Sequence, residues 1–189
     1  VVLADSVLVA TRNAGDGLRL WSGSSDVTLT SLTVLGGPGG NAAYVSQASN
    51  VLITASTFTA SGGGGRGLQL IAVDSATVSD VYAYSPAFYA GWFDAVTGVS
   101  VERSTFARDG GAFNGVFSLA GFNGPSSANT LSASRFFGGS GSGASRTCCS
   151  RRRWQERDTP LFREISNGPP SKLPPSPGPL RFHCWCGRR

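Results

Sequence analysis

Short stretches in which apolar and polar residues alternate recur along the first 145 residues of the chain. Clear examples are 27–34, 51–58 and 99–106, which are rich in valine, threonine, isoleucine and phenylalanine. Such alternation, with β-branched and aromatic residues, predicts strands that are buried on one side rather than helices. Glycine-rich segments between these stretches, for example at 36–40 and 61–65, predict turns. We therefore expect an all-β region.

The alternating stretches form a repeat with a period near 24 residues. Its first inward position falls at residues 27, 51, 76, 99 and 129, which gives steps of 24, 25, 23 and 30. A second phase, a glycine followed by a short apolar strand, is found at Gly17, Gly67, Gly91 and Gly115. One copy cannot fold alone, because ordering each residue costs about 1–2 kcal/mol whereas a buried valine or phenylalanine returns about 1.5–3 kcal/mol. The copies are expected to stack.

Stacked copies predict a solenoid in which equivalent strands are parallel and about 4.8 Å apart. Two inward ladders of side chains are expected, one formed by Val27, Val51, Ala76 and Val99 and the other by Leu29, Ile53, Val78, Val101 and Leu131. A β-sandwich with regularly spaced short strands is the alternative architecture.

The repeat at 50–58, Asn-Val-Leu-Ile-Thr-Ala-Ser-Thr-Phe, is followed by a glycine turn and Gly-Leu-Gln-Leu at 67–70. This pattern resembles the repeat of the right-handed parallel β-helix, or pectin-lyase-like, superfamily, over about residues 5–142. The resemblance implies a right-handed parallel β-helix of about six coils. The superfamily includes polysaccharide lyases and hydrolases, phage tailspikes and adhesive surface proteins. The resemblance also implies an extracellular or cell-surface location and a polysaccharide or cell-surface glycan as the partner.

Residues that could carry catalysis are few in residues 1–145. Lyases of the superfamily use Arg or Lys as the base and commonly place Ca²⁺ on clustered Asp, and its hydrolases use close carboxylates and a His. This region has no Lys, no His and no Asp-Asp or Asp-x-Asp pair. The remaining candidates for acid–base chemistry are Asp94, Glu102 and Arg103, with solvated surface positions as the competing interpretation.

We therefore expect a binding or structural module rather than an enzyme, with no complete active site, no cofactor and no metal site. The alternative function is a fragment of a polysaccharide lyase or glycoside hydrolase. The motif Gly-x-Gly-x-x-Gly at 62–67 is interpreted as a turn, because a strand follows it where a dinucleotide site requires a helix.

Aromatic residues are concentrated in one short stretch, at Tyr82, Tyr84, Phe88, Tyr89, Trp92 and Phe93. Ring faces pack on the apolar faces of sugars, and carboxylates accept hydrogen bonds from sugar hydroxyls. Tyr84, Tyr89, Trp92 and Asp94 are therefore the predicted ligand-binding residues. Because side chains alternate along a strand, about half of the aromatic residues are expected to point inward.

The composition changes near residue 145. Residues 1–145 carry six Arg and eight acidic residues, a net charge of −2, whereas residues 146–189 carry ten basic and three acidic residues, a net charge of +7. All four Cys, the single His and seven of the ten Pro also lie in 146–189. We predict a basic, low-complexity, disordered tail that lacks zinc-ligand spacing, and we do not expect it to bind nucleic acid.

The ends of the repeat show no cap, and the chain contains no Met. We therefore expect an internal piece of a longer β-helix, and we hypothesise that residues 146–189 are out-of-frame or intron-derived. No apolar run approaches the about 18 residues that a membrane span requires. The sequence offers no evidence of an oligomer.

Overall fold

A computed structural model describes residues 1–109, 116–120 and 122–138, and this part of the chain consists of strands and turns without a helix. The predictions made for residues 139–145 and for the tail at 146–189 lie outside the described residues. The strands are β1 (Val2–Ala4), β2 (Val7–Val9), β3 (Leu18–Thr30), β4 (Thr33–Leu35), β5 (Ala43–Thr54), β6 (Thr57–Thr59), β7 (Leu68–Ile71), β8 (Asp74–Ser79), β9 (Tyr82–Ser85), β10 (Gly91–Asp94), β11 (Thr97–Glu102), β12 (Thr105–Arg108), β13 (Phe117–Ala120), β14 (Thr130–Ser132) and β15 (Arg135–Phe137).

The strands stack into three parallel faces of one solenoid. The first face contains β1, the second halves of β3 and β5, and then β8, β11 and β14. The second face has the order β2, β4, β6, β9, β12 and β15. The third face contains the first halves of β3 and β5, and then β7, β10 and β13. Every pairing is parallel, whereas a β-sandwich is built from antiparallel sheets. The predicted parallel solenoid is therefore confirmed.

The solenoid has about four complete turns in the described residues, rather than the six coils predicted. On the first face the register runs through Leu3, Leu29, Ile53, Val78, Val101 and Leu131. Four turns lead from Leu3 to Val101, and the next one passes through residues 110–115 and 121, which the structure does not describe. The first positions of the repeat, at 27, 51, 76, 99 and 129, bound only four intervals, fewer than the six coils predicted.

Both predicted inward ladders are confirmed. Val27, Val51, Ala76 and Val99 are at most 4% exposed. In the second ladder Leu29, Ile53, Val78 and Val101 are all fully buried, and Leu131 packs against them while partly buried. The free energy gained by burying these apolar side chains is what favours the stacking of the coils.

A two-residue turn connects the first face to the second in each coil. Its first residue adopts a left-handed conformation, with φ between 45° and 56°, at Asp5, Ser31, Ala55, Asp80, Arg103 and Ala133. Its second residue points inward and is often serine. The hydroxyl of Ser56 accepts a hydrogen bond from the backbone N–H of Leu32 (3.1 Å), and that of Ser104 accepts one from Val81 (3.2 Å). The serines thereby satisfy buried backbone donors of the preceding coil.

The glycine-rich turns stack directly on one another. A Cβ atom on Gly65 would overlap the carbonyl oxygen of Gly40, and one on Gly40 would overlap that of Gly15. The motif at 62–67 is such a turn and leads into strand β7, as predicted.

Gly91 corrects the predicted second phase of the repeat. On the third face Leu68 pairs with Gly91, and Gly91 pairs with Phe117, so Gly91 occupies an inward strand position rather than the place before the strand that Gly67 occupies. A Cβ atom there would overlap the Phe117 ring and lie 2.8 Å from the Phe106 ring. The missing side chain makes room for these two rings. Gly115 lies outside the described residues.

No helix among the described residues has the length and apolar character needed to cross a membrane.

Candidate ligand-binding face

The third face of the solenoid carries a row of outward positions in register, one per coil. The row consists of Arg19, Tyr44, Gln69, Trp92 and Ser118. Neighbouring rungs are about 4.8 Å apart, and the positions on either side of the row point into the core. Side chains from the adjoining turns join this row and form two aromatic clusters.

The larger cluster is centred on Trp92, which is half-buried. Tyr89 meets it edge-on, with ring centroids 4.8 Å apart, and Phe122 stacks on it nearly parallel, at 5.7 Å and 10°. Phe122 is 69% exposed and is the most accessible ring of the cluster. The sequence prediction included Tyr89 and Trp92 but missed Phe122, because it stands between glycine-containing turn residues and belongs to no alternating strand pattern.

Arg66 places a guanidinium within this cluster. Its Cζ lies 4.6 Å from the centre of the Phe88 ring and 4.9 Å from that of Trp92. Its Nη1 donates a long hydrogen bond of 3.4 Å to Oε1 of Gln69, and its buried Nε has no partner in the described part of the chain. Burial lowers the pKa of Arg66 below its usual value. The group remains protonated, so a cation is held largely by aromatic faces.

A second, smaller cluster lies at the other end of the row. Trp21 is 55% exposed, and its ring centroid is 5.8 Å from that of Tyr44. The Arg19 guanidinium covers both rings, with Cζ at 4.4 Å from the Trp21 centroid and 5.2 Å from the Tyr44 centroid. The carboxylate Oδ2 of Asp16 lies 3.8 Å from Nη1 of Arg19. The sequence prediction did not include these residues, since Tyr44 joins Arg19 and Trp21 only when the next coil stacks on β3.

Asp94 lies beneath the larger cluster rather than on its surface, with only 1% of its area exposed. Its Oδ1 accepts hydrogen bonds from the backbone N–H groups of Phe122 (2.8 Å) and Asn123 (3.3 Å). Its Oδ2 accepts a third from the side-chain amide of Asn123. All three donors belong to the segment that follows strand β13, and the carboxylate is therefore occupied by protein donors.

Tyr84 lies on the second face, on strand β9, and is separated from the other predicted ligand-binding residues. Its hydroxyl donates a hydrogen bond to the carboxylate of Asp109. This hydrogen bond raises the pKa of Tyr84 to about 12.

The expectation that about half of the aromatic residues at 82–93 point inward is wrong. Only Phe93 is fully buried. On strand β9 the inward positions are taken by Ala83 and Ser85, which leaves Tyr82 and Tyr84 facing outward.

The catalytic candidates Glu102 and Arg103 lie at the end of strand β11, on the first face. Arg103 contacts Asp80 through Nε (2.9 Å) and Nη2 (2.8 Å), and its Nη1 contacts Glu102 at 3.3 Å. These hydrogen bonds lower the pKa of Asp80 and raise that of Arg103. All three side chains are between 42% and 55% exposed.

An open depression of about 320 Å³ lies beside this ion-pair group, lined by Arg103, Ser104, Thr105, Ala133 and Arg135. Neither Asp94 nor Glu102 lines it, so the three catalytic candidates are not gathered at one cavity. Among the residues that the structure describes, no group of three or more His, Cys, Asp or Glu side chains is placed to hold a metal ion.

Comparison with known proteins gives no match to the chain among family models, curated proteins or solved structures.

Proposed function

We propose that this chain is a right-handed β-helix surface module that binds glycans, in an extracellular or cell-surface setting, through the outward side of the third face. The observation that supports the proposal most is the pair of aromatic and arginine clusters, centred on Trp92 and Trp21, which share one flat sheet face. Exposed aromatic rings grouped on one face are unusual on a protein surface and are typical of recognition sites.

The chemistry of the two clusters suits sugars. The exposed rings of Phe122 and Trp21 offer flat apolar surface to the C–H face of a pyranose, and Arg19 and Arg66 offer N–H donors to its hydroxyl or acidic groups. No carboxylate pairs with Arg66 among the described residues, which leaves its charge available to a ligand.

The spacing of the clusters favours a chain over a single sugar. Trp21 lies on β3 and Trp92 on β10, with β5 and β7 between them. Three strand spacings amount to about 14 Å along the solenoid axis. A ligand that touches both clusters is therefore an oligosaccharide.

The experiment is a titration of the protein with neutral and acidic oligosaccharides of increasing length, followed by tryptophan fluorescence. Each titration is checked for unsaturated products and new reducing ends, which would indicate a lyase or hydrolase instead. We expect binding without turnover. Phe122→Ala and Trp21→Ala should each weaken binding about tenfold, since losing one ring contact costs about 1.4 kcal/mol.

Tyr82→Ala is the matched control, because Tyr82 is an exposed aromatic residue on the second face. It should leave the affinity unchanged. The proposal would be overturned if no glycan altered the fluorescence, or if the control weakened binding as much as the two variants of the third face.

A further inference from the structure

We propose that Asp94 is a positioning residue, whose buried carboxylate fixes the segment at 122–123 so that the Phe122 ring lies against Trp92. The consequence of this inference for ligand binding rests on the proposed function. Asp94 was predicted to contact the ligand, whereas here it acts through Phe122. Asp94 itself is too buried, at 1% exposure, to meet a ligand.

The hydrogen bonds of Asp94 join two consecutive coils at one point. The carboxylate stands at the end of strand β10, and its donors lie 28 and 29 residues later, in the segment after strand β13. Two of them are backbone N–H groups, so they fix the path of the main chain rather than one side chain. Phe122 contributes one of these N–H groups, and its ring therefore leaves the backbone at a defined place beside Trp92.

Desolvation makes this arrangement strongly preferred. A buried carboxylate is costly unless donors satisfy it, and in the described residues no arginine pairs with Asp94. Any conformation that moved residues 122 and 123 away would leave the charge without its donors. The carboxylate consequently holds the segment more firmly than a neutral side chain would.

The solenoid itself does not require an acid at this position. The residues in register with Asp94 are Trp21, Ser46, Ile71 and Ala120, none of which is charged. Asp94 thus departs from its own ladder at the coil to which the Phe122 segment is hydrogen-bonded. This coincidence is what assigns the carboxylate to the positioning of Phe122.

The first test needs no ligand. Emission of Trp92 is obtained as the difference between the full chain and its Trp92→Phe variant, and amide hydrogen exchange is followed at residues 122 and 123. Asp94→Ala should shift the Trp92 emission to longer wavelength and accelerate exchange at both amides at least tenfold. Asp94→Asn should leave both the emission and the exchange rates close to those of the unsubstituted chain. The new amide oxygen still accepts the two backbone hydrogen bonds, and the side-chain amide of Asn123 can rotate so that its oxygen accepts from the new amide N–H. The proposal is overturned if Asp94→Ala changes neither observable.

The second test is a double-mutant cycle of Asp94→Ala and Phe122→Ala on glycan affinity. If Asp94 acts only through Phe122, each variant weakens binding about tenfold and the double variant is no weaker than either single variant. Additive losses would mean that Asp94 acts independently and would overturn the inference. Asn123→Ala, which removes only the side-chain hydrogen bond, serves if Asp94→Ala does not fold, and it should produce a smaller change of the same sign in both tests.

The two proposals fail in different ways. If no glycan binds, the proposed function fails, whereas the ligand-free measurements still decide whether Asp94 positions Phe122. If glycans bind but Asp94→Ala changes neither the Trp92 emission, nor the amide exchange, nor the glycan affinity, the positioning role is wrong while the proposed function is unaffected.

Discussion

Among the described inward positions of the third face, Gly91 is the one at which a side chain is absent. The rings of Phe93, Phe106 and Phe117 meet beside it, with centroids 4.8 Å apart for Phe106 and Phe117 and 4.9 Å for Phe93 and Phe117. This aromatic cluster fills the interior of the coil because Gly91 leaves the volume free. A methyl group added there has no space, since it would overlap rings that are themselves closely packed.

Gly91→Ala is therefore expected to destabilise the protein by about 1–3 kcal/mol through overpacking. Chemical denaturation monitored by circular dichroism measures the change. Gly63→Ala is the matched control, because the nearest atom to its added Cβ is 3.9 Å away, and its effect should stay within about 0.5 kcal/mol. Equal effects of the two substitutions would contradict the assignment of Gly91 to the core.

The pKa of Tyr84 should lie well above the ordinary value for a tyrosine side chain. Its hydrogen bond to Asp109 holds the folded-state pKa at about 12, above the ordinary value of 10.0. Because the folded-state pKa is raised, the stabilisation is complete below about pH 10 and is lost as the pH rises toward 12. Tyrosinate absorbance, compared with that of Tyr84→Phe, gives the value.

Asp109→Ala tests the cause of this shift. It removes both the acceptor of the tyrosine hydrogen bond and the charge that the tyrosinate would face, so the Tyr84 pKa should fall toward 10. An unchanged midpoint in this variant would show that the interaction with Asp109 is not the cause.

Roles of this kind are hard to predict from local sequence. In the sequence, Asp94 is an acidic residue at the end of an apolar stretch, where an exposed side chain is expected. Its hydrogen-bond donors belong to the next coil and are identified only from the structure. Gly91 looks like a turn residue, and its true neighbours, Phe106 and Phe117, lie 15 and 26 positions further on. The pattern within a strand predicts on which side of the sheet a side chain lies. It contains no information on which residues of the next coil will contact that side chain.

At the scale of the elements, the positions of the strands could be predicted from the sequence, whereas the hydrogen bonds made in the turns between them could not. Alternation alone located the rungs of the first face, because every coil repeats the same apolar positions. The inward serines of the turn between the first and second faces were visible as part of the repeat, for example Ser56 and Ser104. Their task, to accept a hydrogen bond from the coil before, depends on stacking and follows only from the structure.

Ser104→Ala tests that task. Ser104 is 1% exposed, and its hydroxyl accepts from the N–H of Val81 and donates to the carbonyl of Glu102 at 2.8 Å. Removing the hydroxyl leaves a buried N–H without a partner, which should cost about 1–3 kcal/mol of unfolding free energy. Ser25→Ala, at an exposed serine of strand β3, should be neutral. A neutral Ser104→Ala would contradict the proposed satisfaction of the N–H.

At the scale of the whole molecule, periodicity explains both the success of the fold prediction and the incomplete prediction of the site. The apolar pattern of the repeat occurs in several copies, so an ambiguous copy can be interpreted by comparison with the others. The larger aromatic cluster of the proposed binding face is assembled once, from Arg66 in one turn, Trp92 in the next coil and Phe122 in the coil after. Nothing repeats in that set, and a search along the sequence finds only the part that is locally dense in aromatic residues.

The stacked architecture also predicts that stability varies along the axis. Each coil is held by its neighbours, and strands β5 and β8 are paired on both sides, whereas β1 and β2 are paired on one side only in the described residues. Burial follows the same gradient: in the inward rows Leu3 and Leu8 are only partly buried, whereas Ile53 and Val78 are fully buried. In a solenoid whose coils contact only their neighbours, opening starts in the coils that are least buried.

Native-state hydrogen exchange should therefore show amides of β1 and β2 exchanging at least a hundredfold faster than those of β5 and β8. The difference corresponds to about 2.7 kcal/mol in opening free energy, comparable with the burial of one large apolar side chain. Ile53→Ala provides the internal check, because a cavity in a central rung should lower the protection of β5 and β8 while the rapid exchange of β1 and β2 changes little. Uniform protection from β1 to β8 would mean that the coils unfold as one cooperative unit, and it would contradict the nearest-neighbour description.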